Sequence, residues 1–372
     1  MKRWLMALIC LLMLTGCWDE RQFKNVKLVL SMGYDVGEEG GIIQTVSIPS
    51  VRRSVEGPGE ERIQVISTPA HTPREARDKL DQMISETFDP SKVKVILLGE
   101  ELAKKNIFPL LDELYRNPNS NLNSYLAIAD DGTARDVIDT KNTSETRISQ
   151  YIGGLLEAAV YSTHATGENL QLLCAELLEP GIDFSVPMVK VDEEKQLITF
   201  AGMGLFHDKQ YSGEKIEPDQ STLYMLLQGK RGKIARLTAK VSDEHEEEML
   251  NYVSVNVMSS NQDLKLEIKD NEVTAHLKLK MKVRIVEYPS DHLYVKGKVG
   301  RISNKLAEVL TAESEQIVSQ LQEANSDILG VGRRVKAFHP KVWKELDWDK
   351  DYPEITIKPK VEVEILQHGI TN

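Results

Sequence analysis

Cysteine is scarce in this sequence, with 3 residues among 372. Cys10 lies within an N-terminal apolar segment, and Cys17 follows that segment directly. Only Cys174 remains in the rest of the chain, and it lies in an apolar pattern typical of a helix (NLQLLCAELLEP). A buried small side chain explains Cys174 better than a nucleophile does. For an exported protein, one remaining cysteine excludes a disulfide framework.

Long apolar runs and an excess of positive charge are missing as well. The apolar segment from Trp4 to Leu14 is too short to cross a bilayer, because a membrane-spanning helix needs about 20 residues. The chain carries 57 acidic and 46 basic residues, for a formal net charge of −11. This balance argues against a nucleic-acid partner and against broad electrostatic attraction to anionic lipid.

Motifs for catalysis, cofactors and metals are also lacking. The eight histidines are scattered, without metal-ligand spacing or an HExxH pattern, and His245 lies in an acidic run typical of a solvated helix start. The pairs Gly202–Gly204 and Gly330–Gly332 lack the further glycines of a phosphate-binding loop. Ser212 and Lys215 have Ser-x-x-Lys spacing but lie in a polar turn segment. The sequence therefore predicts no enzyme, no cofactor site and no metal site.

The N-terminus contains the clearest functional motif in the sequence. Lys2 and Arg3 precede the apolar run, and Leu14-Thr15-Gly16-Cys17 then matches the lipobox of bacterial lipoproteins. We expect residues 1–16 to be a signal peptide. Its removal lowers the formal charge from −11 to −13, because both basic residues leave with it. An ordinary secretory signal with an accidental cysteine is the alternative.

Cys17 is the predicted lipidation site of the mature chain. Its thiol would accept diacylglycerol, and its freed α-amine could carry a further fatty acid such as palmitate. Two or three acyl chains on one residue give stable anchoring, whereas a single chain is marginal. We therefore expect a lipoprotein anchored to the outer face of the cell membrane.

The length of 372 residues allows two or three domains. After a lipid-anchored spacer at 17–24, strands alternate with helices, and the apolar run Val93–Leu98 is typical of a central strand covered on both faces. This pattern predicts an N-terminal α/β domain over 25–193. A small middle domain is expected at 194–228, and a C-terminal α+β domain at 229–372.

Period-two alternation is clearest in the C-terminal third. Apolar and charged residues alternate over 264–269, 275–285 and 355–365, which predicts antiparallel strands with one buried face. A helix from about 298 to 324 has an apolar stripe that can cover this face. The predicted class is multi-domain α+β, with mixed sheets and helices and a C-terminal antiparallel sheet covered by a long helix.

Two stretches at opposite ends of the chain carry a family resemblance. The first is Gly16-Cys17-Trp18-Asp19 followed by KLVLSMGYDV, and the second is DILGVG with FHPKVWK and Trp348. Together they resemble the Ger(x)C family of spore germination lipoproteins, the C subunits of nutrient germinant receptors. The resemblance extends over essentially the whole chain and implies a three-domain architecture.

The resemblance also implies a function. Such subunits lie on the outer face of the spore inner membrane and act with a multi-span A subunit and a transporter-like B subunit. The complex senses small nutrients and starts the release of ions and dipicolinate. We therefore expect a non-catalytic receptor subunit. The alternatives are an exported, lipid-anchored protein that itself captures a small nutrient, and an exported hydrolase.

The resemblance transfers one residue role, that of Cys17 as lipid acceptor. Five residues of the C-terminal motif are interpreted as structural: Gly330, Gly332, Pro340, Trp343 and Trp348. The glycines would permit a tight turn, and the tryptophans would pack the helix end against the sheet. A docking surface formed by Trp343 and Trp348 is the alternative.

Overall fold

The computed structural model describes residues 26–52, 60–141, 145–192, 194, 197–270 and 272–367. Cys17, the predicted signal peptide and the predicted spacer lie outside these residues. None of the helices in the described ranges is both long and apolar enough to span a membrane.

The described residues form fourteen strands and eleven α-helices. The strands are β1 (Val26–Leu28), β2 (Ser31–Val36), β3 (Ile42–Arg52), β4 (Glu60–Ala70), β5 (Thr87–Asp89), β6 (Val95–Gly99), β7 (Tyr125–Ala129), β8 (Ser185–Asp192), β9 (Leu197–His207), β10 (Gln210–Ile216), β11 (Arg236–Lys240), β12 (Tyr252–Lys269), β13 (Glu272–Glu287) and β14 (Thr356–Gln367). The helices are α1 (Pro73–Asp81), α2 (Glu100–Ala103), α3 (Phe108–Arg116), α4 (Ala134–Ile138), α5 (Ile148–Tyr161), α6 (Leu170–Glu176), α7 (Ser221–Leu227), α8 (Lys298–Glu323), α9 (Val331–Phe338), α10 (Pro340–Trp343) and α11 (Trp348–Asp351).

The N-terminal unit is built on an eight-stranded sheet in the order β10-β9-β8-β7-β6-β2-β3-β4. Its four middle strands, β8, β7, β6 and β2, are parallel, and the strands on either side of them are antiparallel. All five residues of β6 are buried, as the apolar run around them predicts. Short β1 and β5 pair in parallel as a separate two-stranded sheet.

Helices cover both faces of the parallel strands because successive strand residues point to opposite sides. Ile96 and Leu98 belong to a core cluster that also contains residues of α1, α3 and α6. Val95 and Leu97 belong to a second cluster, which contains residues of α4 and α5. Cys174 lies in α6 and is only half-buried, since Leu170 and Leu173 are the residues of this helix in the core. The expectation of a buried Cys174 is thus corrected.

The C-terminal unit contains the sheet β11-β12-β13-β14. Helix α8 covers it with buried Ile302, Leu306, Leu310, Ile317 and Leu321. The α+β class and the covering helix are confirmed. The expected antiparallel pairing holds for β11, β12 and β13, but β14 joins β13 in parallel. The parallel pairing follows from the connection between the two strands, which includes α8 and is therefore a crossover rather than a hairpin.

The outer edge of β14 is covered by polar side chains of α8. Ser303 Oγ donates to the carbonyl of Val363 at 2.6 Å, and Thr311 Oγ1 accepts from Val361 N at 3.1 Å. Pro359 lies on the same strand and, two residues before Val361, lacks the N–H that would point to this edge. The side chains of α8 and the proline of β14 therefore reduce the number of unpaired backbone groups at this edge of the sheet.

Residues 194–228, which the sequence suggested as a small middle domain, are divided between the two units. Strands β9 and β10 extend the N-terminal sheet, because β9 pairs along β8 from Ser185↔Leu205 to Asp192↔Leu197. Helix α7 is buried over all seven residues and belongs to the core cluster of the C-terminal unit. Tyr224 of α7 donates its hydroxyl to Ser185 Oγ of β8 at 2.7 Å. The segment therefore joins the two units.

Candidate functional site

The residues of the C-terminal motif come together beside the N-terminal unit. Gly330 is the residue before α9, Gly332 is the second residue of α9, and Pro340 opens α10, a position that suits the missing N–H of proline. Trp343 ends α10 and Trp348 begins α11. Cys17 lies outside the described residues, so its predicted role stays a prediction.

Asp327 is the centre of this arrangement. It is 1 % exposed, and its carboxylate accepts from Val331 N at 2.9 Å, Gly332 N at 2.7 Å and Trp348 Nε1 at 3.2 Å. Burial raises the pKa of Asp327 to about 8, although the three N–H donors act in the opposite direction. The carboxylate thus fixes the start of α9 and the indole of α11 at one point.

The two glycines serve different purposes in the structure. Gly330 has φ +68, a left-handed conformation that glycine adopts without steric cost. Gly332 leaves space for the indole, because a Cβ built at this position would lie 2.5 Å from Cε2 of Trp348. The rings of Trp348 and Trp343 are 5.4 Å apart, and both pack partly buried against the C-terminal core cluster.

Asp183, just before β8, connects this motif to the N-terminal unit. Its carboxylate accepts from Asp327 N and Asp208 N, both at 2.8 Å, and its own N–H donates to the carbonyl of Asp327 at 3.1 Å. Next to this pair, Ser326 Oγ donates to the carbonyl of Phe206, and Arg333 N donates to the carbonyl of Gly181. Four of these hydrogen bonds cross between the two units and hold them together, whereas the bond from Asp208 N lies within the N-terminal unit.

A groove of approximately 1090 Å³ opens at this junction. From the N-terminal unit it is lined by Glu176, Asp183, His207 and Tyr211, among others, and from the C-terminal unit by Asn325, Trp343, Trp348 and Asp349. The Asp183 carboxylate beside His207 raises the pKa of this imidazole. The lining combines aromatic rings with groups of both charges, which suits binding of a small polar molecule. Among its described residues it has no nucleophile within hydrogen-bonding reach of a base.

A half-buried pair of carboxyl groups lies at the edge of the groove, which Glu176 lines. Glu176 and Glu168 are close neighbours, and both pair with Lys230, which is 4.0 Å from Glu176 Oε1. Burial, together with the charge of Glu168, raises the pKa of Glu176 to about 7. Lys230 follows α7, so this cluster is a second polar contact across the junction.

One acidic group in the described residues has the spacing of metal ligands. Oxygens of Glu100, Asp130 and Asp131 lie within 4.8 Å of one another, at the carboxyl ends of β6 and β7. Lys215 Nζ is 2.9 Å from Asp130 Oδ2, and Lys190 Nζ is 2.5 Å from Asp131 Oδ2. These two ammonium groups account for the acidic cluster by ion pairing.

Sequence reasoning identified the motif but missed the partners that hold it. Asp327 opens the quoted motif, yet its role depends on Asp183, which lies 144 residues earlier. No local pattern around Asp183, Glu176 or His207 marks these residues. The one available signal is an aspartate placed three residues before Gly330 and five before Gly332, a spacing that lets its carboxylate reach the first N–H groups of a helix.

Comparisons with known proteins cover the chain from end to end. Residues 19–191 match the family model described as spore germination protein N-terminal domain. Residues 201–369 match the model described as spore germination B3/GerAC like, C-terminal.

Individual relatives agree with these matches. The chain is 21% identical to spore germination protein GerQC of Bacillus cereus, over 100% of both chains. It is also 21% identical to spore germination protein KC of Bacillus subtilis (strain 168), over 99% of this chain and 95% of the relative. The crystal structure of the GerBC protein has the same fold, with a TM-score of 0.55 and 19% identity, over 90% of this chain and 96% of that one.

Proposed function

The chain belongs to the Ger(x)C, or GerAC-like, family of spore germination proteins, and we propose that it is a non-catalytic lipoprotein subunit of a membrane receptor that senses small nutrients and triggers germination. The observation that carries this proposal is the match of both family domains, which together span residues 19–191 and 201–369. Relatives of full length bear spore germination names.

The proposed partners are the multi-span A subunit and the transporter-like B subunit of the same receptor. A subunit of this kind acts by contact, and the polar groups at the junction support such a role. The Asp183 carboxylate accepts from Asp327 N and so helps to hold the two units together, and the Asp327 carboxylate fixes the start of α9.

The proposed location is the outer face of the spore inner membrane, with the chain tethered through lipid on Cys17. The lipobox Leu14-Thr15-Gly16-Cys17 supports this tether, and multiple acyl chains supply stable anchoring.

Replacing Cys17 with alanine tests the tether and the germination role together. We expect spores with Cys17→Ala to lose dipicolinate release in response to the same nutrient class as a deletion strain, because the untethered subunit leaves its partners. The measurement is dipicolinate release across a nutrient panel, with a blot for persistence of the protein. Cys174→Ala is the matched control and should respond like wild type, since Cys174 is a half-buried free thiol.

A normal response of both the Cys17→Ala and the deletion strain, in spores that lack every other receptor, would contradict the proposed function. A normal response of the Cys17→Ala strain, with a defective deletion strain, would contradict only the proposed lipid tether.

Capture of the nutrient by this chain is the second candidate function, and the groove at the junction favours it. Its lining offers Trp343, Trp348 and Tyr211 beside carboxylates and His207. If this function holds, calorimetry of the full chain should show saturable binding of one nutrient, at micromolar to millimolar concentration. Trp343→Ala should weaken that binding. Flat titrations over the whole nutrient panel would exclude capture and leave the contact function standing.

A further inference from the structure

Helices α9 and α10 form a basic hairpin, defined here as residues 331–344, on a chain that is otherwise acidic. From Ile328 to Lys344 the sequence contains five lysines and arginines and no aspartate or glutamate, whereas the whole chain has a net charge of −11. The five cations are Arg333, Arg334, Lys336, Lys341 and Lys344. This segment therefore has a local charge opposite to that of the protein as a whole.

Most of these cations have no ion-pair partner among the described residues. Arg333 lies 3.7 Å from Glu179, but in the part of the chain that the structure describes the other four form no ion pair within 4.0 Å. Lys336, Lys341 and Lys344 are exposed. Glu345 is the acidic residue that follows the hairpin directly. Unpaired ammonium groups held on one surface attract an anionic partner.

The hairpin also exposes a large apolar side chain among its charges. Phe338, the last residue of α9, is 72 % exposed. Val331, Gly332 and Val335 of α9 are buried. The helix is thus fixed to the core over its first turns and leaves Phe338 exposed at its end. An exposed aromatic side chain with basic residues before and after it in the chain is typical of a surface that lies in the headgroup region of an anionic bilayer.

We propose that the basic hairpin docks on an anionic phospholipid surface, with Phe338 entering the interface and the lysines contacting phosphate groups. The contact would act as a second attachment besides the lipid on Cys17. This proposal rests on the proposed function in one respect, because the lipid tether is what brings the protein to a membrane. It would also orient the chain, because the remaining acidic surface is repelled by the same lipid.

Hydrogen bonds where the two units meet hold the basic hairpin in a fixed position. Asp327 binds the first N–H groups of α9, and Arg333 N donates to the carbonyl of Gly181 in the N-terminal unit. Docking of the hairpin would therefore set the orientation of both units relative to the membrane, and with it the direction in which the groove at Trp343 and Trp348 opens.

Vesicle binding by the full chain tests the proposal. Every sample carries Cys17→Ser so that no acyl chain contributes, and the vesicles are phosphatidylcholine with or without phosphatidylglycerol. The test variant replaces Lys336, Lys341 and Lys344 with serine. The matched control replaces Lys92, Lys105 and Lys233, three exposed lysines outside the hairpin, and changes the net charge equally. Phe338→Ser is measured separately, and circular dichroism checks that each variant is folded.

We expect wild type and the control to prefer vesicles containing phosphatidylglycerol, and the preference to fall with added salt. The test variant should bind these vesicles at least about tenfold more weakly, as expected when two or more basic groups leave an anionic surface. Phe338→Ser should weaken binding without abolishing the lipid preference.

Equal binding of the test variant and the control would overturn the proposal. So would a loss of receptor assembly in the test variant with unchanged vesicle binding, because the partner would then be an acidic protein surface. Either result leaves the germination role intact, since that role is judged by the deletion strain.

Discussion

Gly332→Ala is expected to lower the free energy of unfolding by about 3 kcal/mol, because the new methyl group would overlap Trp348 and loosen its hydrogen bond. The built Cβ lies 2.5 Å from Cε2 and 2.6 Å from Nε1 of this indole. The ring cannot retreat freely, since Nε1 donates to Asp327 and the ring packs 5.8 Å from that of Tyr352. Denaturant unfolding monitored by tryptophan fluorescence measures the change.

Gly300→Ala supplies the matched control for this substitution. Gly300 is an exposed residue in α8, and a Cβ there meets no atom within 4 Å. Alanine should stabilise this helix by about 0.5–1 kcal/mol, because glycine loses more backbone freedom on folding. The same chemical change is thus expected to have opposite signs at the two positions. A Gly332→Ala protein as stable as wild type would mean that the indole is free to move.

Local patterns were enough to predict the individual strands and the covering helix. In β13 the buried residues alternate with exposed or half-buried charged ones, and this is what period two in the sequence indicates. The apolar stripe of α8 is likewise the set of residues that packs on the sheet. These features depend on neighbours within a few residues, so the sequence contains them directly.

The direction of β14 and the extent of the N-terminal sheet depend on pairing at long range. Alternation in 355–365 shows that one face is buried, but the same pattern fits a parallel or an antiparallel neighbour. Likewise, β9 looks like a separate strand in the sequence, and only its register with β8 joins it to the large sheet. For this reason the sequence predicts the strands themselves but not how they pair.

In the candidate site, too, local features could be predicted from the sequence and long-range contacts could not. The sequence singled out Gly330, Gly332, Trp343 and Trp348. In the structure Gly330, Gly332 and Trp348 donate hydrogen bonds to Asp327, and Trp343 packs on Trp348. Both glycines were expected to permit a turn. Gly330 has the positive φ of a turn, whereas Gly332 is restricted by an indole sixteen residues later. A side-chain contact of this kind leaves no trace in the local pattern.

Asp327→Ala should be a more severe change than Gly332→Ala. It removes the acceptor of three N–H groups, those of Val331, Gly332 and the Trp348 indole. Each buried donor left without a partner costs about 1–3 kcal/mol, and we expect a total loss of about 4 kcal/mol at pH 6 after partial relaxation. Asp349→Ala is the control, because this exposed carboxylate nearby makes no such contacts, and its effect should stay within about 0.5 kcal/mol.

The pH dependence of this loss follows from the raised pKa of Asp327. Its carboxyl titrates near 3.8 in the unfolded chain and at about 8 in the folded protein. Between these values the folded state keeps a proton that the unfolded state has released, so stability falls as the pH rises through this range. Alanine removes that dependence. Within the range pH 5 to pH 9, the difference in unfolding free energy between wild type and Asp327→Ala should therefore be largest at pH 5 and shrink towards pH 9.

Asp327→Asn separates the contribution of the accepted hydrogen bonds from that of the titrating carboxyl group. The amide keeps one accepting oxygen and carries no charge, so we expect a loss of about 1–3 kcal/mol at pH 6 and a stability that no longer falls towards pH 9 because of this residue. Urea titrations of the three proteins at several pH values give the comparison. A wild-type stability that stays level from pH 5 to pH 9 relative to the asparagine variant, and falls only as the pH drops below about 4, would show that the three N–H donors outweigh burial and keep Asp327 ionised. In that case a buried anion would fix the start of α9, and the loss in the alanine variant would be the same at every pH above about 5 and smaller in acid.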